Sequence, residues 1–312
     1  MINYALLGAA GYVAPRHMRA IRDTGGSLKV AFDPRDSVGV IDSFFPNASF
    51  FVEFERFDRH VDKMRRQGEP IQYVAICSPN HMHDSHVRFA LRSGAQAICE
   101  KPLVLNPWNL DGLAEISSQT GLKVNTILQL RLHPTIVALR KRILSQPGKV
   151  HDVDLSYITS RGRWYHVSWK GDLSKSGGIV TNIGVHFLDM LIFVFGKVKA
   201  RVLHAQTGDY ATGSIELERA NVRWFLSIDK AHLPSEAGEQ PTWRSILIDG
   251  EELEFSGGFT DLHTDSYKHI LSGKGYGIED VRPSVELAST LRTMEPTPQA
   301  DGRHPMLEHV AL

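Results

Sequence analysis

Short, almost unbroken apolar runs alternate with longer amphipathic ones through the first part of the chain. Asn3 to Leu7, Leu28 to Phe32, Phe50 to Val52, Ile71 to Cys77, Ala95 to Cys99 and Leu122 to Leu128 have the composition of strands buried on both faces. Between them, Ala14 to Thr24, Phe57 to Gln67, His83 to Ser93 and the run from Asn106-Pro107 to Thr120 carry apolar residues at helical spacing. Gly25-Gly26 and Gly94 act as stops. Strand and helix in strict alternation predict a doubly wound parallel sheet.

The period changes after Leu128. Leu132 to Leu144 reads as a helix broken by Gln146-Pro147-Gly148, and Val150 to Ser160 then alternates like a strand with one solvated face. Val198 to Gln206, Gly213 to Leu217, Val222 to Ile228 and Ser245 to Ile248 continue in that manner and predict an open, mainly antiparallel sheet. The fold class is therefore α/β followed by α+β, with residues 1–128 as one domain and 129–312 as the other. Ile278 to Met294 is expected as a helix that packs back on the first domain, and the proline-rich Glu295 to Pro305 as a mobile tail.

Composition narrows the function. Lys plus Arg equals Asp plus Glu at 35 each, so no global field draws in nucleic acid or an anionic membrane. Cys77 and Cys99 are the only cysteines, too few for a disulfide framework or a thiolate metal site, and they fit a reducing, cytoplasmic setting. The N-terminus enters a strand without a signal-like core, and Phe187 to Phe195, interrupted by Asp189, falls short of the roughly 20 residues that cross a bilayer. His81, His83 and His86 lack accompanying ligands of matching geometry, so no metal is expected.

Two stretches carry candidate chemistry. Gly8-Ala9-Ala10-Gly11-Tyr12-Val13-Ala14 joins strand to helix as G-x-x-G-x-x-A: Gly8 would make the tight turn and Gly11 would let the main chain approach a phosphate. Asp33 follows the second strand where the ribose-binding acid of a dinucleotide (Rossmann) fold belongs, which points to NAD rather than NADP, with Arg35 nearby as a counter-signal. The second stretch is Cys99-Glu100-Lys101-Pro102, at the carboxyl end of a buried strand, where open α/β sheets hold ligands. A lysine fixed between strand and proline and partly desolvated can exchange protons near neutral pH, which makes Lys101 the first catalytic candidate.

Gly8 to Ala14, Asp33, Ser78-Pro79-Asn80 with His83, and above all Glu100-Lys101-Pro102 resemble the glucose-fructose oxidoreductase / inositol dehydrogenase (Gfo/Idh/MocA) family. Within it the run from Gly8 to His17 looks most like the branch that oxidises UDP-N-acetylglucosaminuronate at C3 for lipopolysaccharide O-antigen synthesis. The resemblance thins after about Leu233. It implies an NAD-dependent sugar-nucleotide dehydrogenase, some relatives of which reoxidise NADH with 2-oxoglutarate. It also implies a dimer or tetramer formed through the open sheet.

The same resemblance implies the site. Cofactor contacts fall on Gly8, Ala10, Gly11, Tyr12, Val13, Asp33, Ser78, Asn80, His81, His83, Glu100, Lys101, Gln129 and Trp164. Ser176 to Asp189 resembles the family's second motif, with His186 as acid/base partner of Lys101. Asn182 stands where many members carry aspartate, and an amide can orient a hydroxyl but cannot act as base. On a helix, Asn182, His186 and Asp189 would share one face. Arg131, Arg163 and Lys170 are the cations available to a uronate carboxylate and a diphosphate, and Tyr165 adds aromatic surface beside Trp164. Two alternatives stay open: an oxidoreductase acting on a free polyol or aldose, and a dinucleotide-sensing binding protein without turnover.

Overall fold

The computed structural model describes residues 1–255, 257 and 259–310. The chain divides into two compact units, the first formed by Met1–Leu132 with Thr260–Arg282 and the second by His133–Phe259 with Pro283–Leu312. The segment 260–282 thus returns to the first unit.

In the first unit the strands are β1 (Asn3–Leu7), β2 (Ser27–Phe32), β3 (Ser49–Phe51), β4 (Tyr73–Ile76), β5 (Gln96–Cys99) and β6 (Val124–Thr126). Helices α1 (Ala14–Asp23), α2 (Phe54–Arg66), α3 (His83–Arg92) and α4 (Pro107–Thr120) alternate with them. All pairings are parallel, in the order β3-β2-β1-β4-β5-β6. The order reverses between β1 and β4, so the crevice beyond their carboxyl ends is the switch point where such sheets take ligands. Tyr4, Leu6, Met18, Ile21, Ala75 and Ile98 are fully buried in the core, and Tyr267 of the returning segment joins them.

The second unit holds α5 (Pro134–Leu144), β7 (His151–Thr159), the short helices α6 (Trp164–Val167) and α7 (Leu173–Ser176), α8 (Val185–Phe195), and β8 (Val198–Gln206) to β10 (Ala220–Ser227), with β9 at Tyr210–Leu217. The strands β11 (Thr242–Ile248) and β12 (Glu251–Glu252) complete a sheet ordered β12-β11-β7-β10-β9-β8. Only β7 and β10 pair in parallel and the other pairings are antiparallel, so the sheet is mainly antiparallel as expected. The returning segment contributes α9 (Leu262–His269), and α10 (Ile278–Thr293) follows.

The run 173–195 is apolar enough by length and composition to cross a bilayer. Two-thirds of its most apolar window is buried within the protein, as in a core helix, and Gly177 and Gly178 with positive φ break it early. The stretch after Met294, expected to be mobile, is instead docked. Thr297 donates its amide to the Leu203 carbonyl at 2.8 Å, and His304 is buried beside Ser156. Leu307 and Val310 cover Ile158, Tyr210 and Phe225. The proline-rich sequence hid these anchors, and this patch of the second sheet is covered by Leu307 and Val310.

Candidate active site

The glycine turn is built for close approach. Gly8 has φ +88°, and a Cβ there would lie 2.5 Å from the Ser78 amide nitrogen and 2.7 Å from the Cys77 carbonyl oxygen. The β1 turn and the loop after β4 are thus in backbone contact at the switch point. Gly11 is nearly as tight, at 3.0 Å from the Gly8 carbonyl. Ala10 donates its amide to Asp33 Oδ2 at 3.0 Å, and Arg35 donates to Asp33 Oδ1 at 2.9 Å. The acid therefore fixes the turn as well as ending β2, and each oxygen retains a lone pair for a ribose hydroxyl. No side chain caps α1, so its N-terminus is open to a diphosphate. Tyr12, at the rim, is 85% exposed with Arg16 over its ring, and Val13 is half-buried. These residues fit a dinucleotide.

The loop after β4 is a clamp. His83 is buried, with Nδ1 2.7 Å from the Pro102 carbonyl and Nε2 2.9 Å from the Ser78 carbonyl. Both ring nitrogens face main-chain carbonyls, and the neutral ring, with one N–H, donates to one of them, so the ring packs between this loop and Pro102 rather than reaching outward. Burial, which outweighs the two carbonyl contacts, lowers its pKa and favours the neutral ring. Ser78 Oγ meets His86 Nδ1 at 2.8 Å, and burial pushes His86 down to about 4. Asn80 is buried, while His81 is exposed.

Glu100-Lys101 leaves β5 at the same end of the sheet. Glu100 faces inward: His17 Nε2 lies 3.2 Å and His263 Nε2 2.8 Å from its Oε1, and Tyr267 Oη lies 2.8 Å from His17 Nδ1. Burial works to raise the Glu100 pKa, but the bonds from His17 and His263 outweigh it and hold the carboxyl well below the usual range. Lys101 is half-buried; desolvation lowers its pKa and the Glu100 charge opposes that. Gln129 opens the turn after β6 and is half-buried.

Arg131 is a correction. It was expected at a ligand anion, but it is 8% exposed, donates to the Asp280 carbonyl at 2.8 Å and lies over the Tyr276 ring. A guanidinium just past a sheet strand is equally able to hold a returning segment, and here it does.

In the second unit, Asn182 sits in a π-helical turn, Val180–Gly184, that runs directly into α8. Such turns insert one residue and re-aim side chains. Asn182 and His186 are half-exposed, whereas Asp189 is 2% exposed, so the three do not share one environment. Asn182 Nδ2 donates to Tyr165 Oη at 2.9 Å, and burial raises the pKa of that phenol. Lys170 Nζ lies 4.4 Å from the Trp169 ring centre and 5.5 Å from that of Trp164. Arg163 and Trp164 are exposed at the start of α6.

Sequence reasoning missed His17 and His263 as partners of Glu100, and Tyr267 as the partner of His17. The readable signal was the His263/Tyr267 spacing of four on one helix face, in a region where the resemblance had thinned.

A six-stranded doubly wound sheet with this turn, this acid and a lysine at its carboxyl edge, followed by a largely antiparallel sheet, defines a dinucleotide-dependent oxidoreductase of two units. The chain belongs to the Gfo/Idh/MocA oxidoreductase family: the family's NAD-binding Rossmann fold matches residues 2–127 and its C-terminal α/β domain matches 141–242. It is similar to the WlbA (WbpB) dehydrogenase of Thermus thermophilus solved with NAD and UDP-GlcNAcA, at 46% identity and a TM-score of 0.94, covering 98% of this chain and 99% of that one. A second structure from that organism, solved with NAD and alpha-ketoglutarate, gives 47% identity and a TM-score of 0.95 at the same coverage. Inositol 2-dehydrogenase of Rhizobium meliloti is 26% identical over 70% of this chain, and the match spans 66% of that protein's length.

Proposed function

We propose that this protein removes a hydride from C3 of UDP-N-acetyl-D-glucosaminuronate, giving the 3-keto sugar nucleotide, with NAD as cofactor. The observation that supports it most is the 46% identity, end to end, with a dehydrogenase solved with NAD and UDP-GlcNAcA. Bound NAD would supply the hydride acceptor. The turn Gly8 to Val13 and the start of α1 would hold its diphosphate and Asp33 its ribose, with Ser78, Asn80, His81 and Gln129 along its path. Lys101 would take the proton of the C3 hydroxyl as the hydride leaves, and its partly desolvated setting suits that exchange. His186 would act as its acid/base partner, Asn182 with Tyr165 would orient a sugar hydroxyl, and Arg163, Lys170 and Trp164 would meet the anionic groups and the aromatic base.

The alpha-ketoglutarate bound to the Thermus relative supports recycling of NADH by 2-oxoglutarate. We further propose a cytoplasmic homo-oligomer, dimer or tetramer, contributing to O-antigen sugar synthesis. Its assembly is testable by light scattering on the eluting protein.

A free-polyol dehydrogenase is the second reading, favoured by the 26% identity with inositol 2-dehydrogenase. Calorimetric titration with UDP separates the two, because a polyol enzyme has no use for a diphosphate site. Heat of binding saturating at one equivalent supports the sugar-nucleotide reading, and its absence together with turnover of myo-inositol overturns it.

A further inference from the structure

Glu100 Oε1 is the common acceptor of a closed network inside the first unit. His17 from α1 and His263 from α9 both direct Nε2 at it, at 3.2 and 2.8 Å, and the Tyr267 hydroxyl faces the remaining nitrogen of His17 at 2.8 Å. Donors and acceptors then assign themselves. A carboxylate only accepts, so both Nε2 atoms carry protons; His17 Nδ1 is left as an acceptor, and Tyr267, whose burial keeps its hydroxyl protonated, donates to it. The three ligand-capable atoms lie within 4.8 Å of one another, but the 2.8 and 3.2 Å separations are those of N–H donors on one oxygen. The cluster is therefore hydrogen-bonded.

We propose that His17 and His263 are positioning residues for the reaction: by donating two hydrogen bonds to Glu100 Oε1 they keep an anion fixed next to Lys101, and through it they set the pH at which Lys101 gives up its proton. Among the described residues, the following titratable and charged groups act on the pair. From α1 come His17 and Arg16, from α9 His263 and Tyr267, from α3 His83, from β5 the thiol of Cys99, and from the residue after β4 that of Cys77. Among these described groups Glu100 is the one whose charge favours protonated Lys101, while burial works against it. A carboxylate buried without donors would take up a proton, and the lysine would lose its counter-charge. Thus a segment distant in sequence, 260–282, acts on Lys101 through Glu100.

The inference rests on Lys101 as the acid/base group, and its test is read without turnover. The rate of acylation of Lys101 by acetic anhydride, followed by peptide mass spectrometry across pH, titrates the amine directly in the full-length protein. Glu100→Gln is expected to lower its midpoint by about 1 pH unit or more, as removal of an opposite charge at close range does. His263→Leu is expected to move it in the same direction, and His263→Gln, which keeps an N–H donor, to restore it. Tyr267→Phe, which removes only the hydroxyl, gives a gentler second variant with a smaller shift of the same sign. A wild-type midpoint in both His263→Leu and Tyr267→Phe overturns the proposal, as does a stoichiometric metal in the purified protein, because a metal needs the Nε2 lone pairs. If the midpoints move while the pH–rate profile does not, the coupling stands and the acid/base role of Lys101 falls.

Discussion

His263 Nε2 stands 2.8 Å from Glu100 Oε1, across 163 positions of the chain. That bond joins the segment returning from the second half of the sequence to the strand end that carries Lys101. Arg131 on the Asp280 carbonyl and Arg282 on Asp111, at 2.8 and 2.9 Å, anchor the same segment. The first unit is complete only with residues contributed late in the chain, and its candidate catalytic lysine leans on them.

Replacing that lysine isolates its role. Lys101→Met preserves length and apolar bulk while removing the amine, so kcat is expected to fall ~10²–10⁴-fold with NAD affinity changed only a few-fold. Steady-state rates and a fluorescence titration with NAD check this together. Turnover close to wild type would remove Lys101 from the chemistry.

Gly8→Ala tests the switch point. At φ +88° with main chain 2.5 Å from the added Cβ, both conformation and space are lacking. A loss of ~1–3 kcal/mol in urea unfolding is expected from the backbone strain alone, together with weaker NAD binding as the turn opens. Unaltered stability would show that the β1 turn and the loop after β4 are not in contact as described.

Tyr165→Phe probes the second unit. Asn182 loses the acceptor for its amide, which is expected to lower stability by ~1 kcal/mol and to raise KM for the sugar nucleotide without weakening NAD. Calorimetric melting and kinetics read the two effects separately. A change in NAD affinity with KM unmoved would argue against a role for this pair at the sugar.

Acid should loosen the fold through buried histidines. Burial depresses His86 and His304 from 6.5 to about 4. Between those pH values the unfolded chain binds protons that the folded chain refuses, so stability is intact above 6.5 and declines as pH falls toward 4. His304→Asn, which keeps a side-chain acceptor for the Met306 amide, is expected to flatten that decline in urea melts between pH 7 and 4.5. An unchanged slope would show that His304 contributes nothing to it.

The parallel sheet was legible because its inner strands are buried on both faces and its helices end at glycines such as Gly25-Gly26 and Gly94. The glycine turn and Asp33 could be placed from spacing alone, since the chemistry of a close approach demands glycine at Gly8. What could not be read was long-range. Arg131 has the composition of an anion ligand, and only the return of Asp280 and Tyr276 to its side makes it structural. Asp189 was expected to share a face with Asn182 and His186, but on α8 it is buried while His186 is half-exposed, a difference set by what packs against the helix and not by spacing. The end of the chain looked mobile from its prolines, yet His304 and Leu307 bury themselves on the second sheet.

The central claim is hydride transfer from a UDP-linked uronate to NAD, and absorbance near 340 nm reads it directly. The purified protein is supplied with NAD, then UDP-N-acetylglucosaminuronate, then 2-oxoglutarate. The account predicts a rise on addition of the sugar nucleotide and a fall on addition of the keto acid. A flat trace with the sugar nucleotide, alongside a rise with myo-inositol or another free polyol, would contradict it.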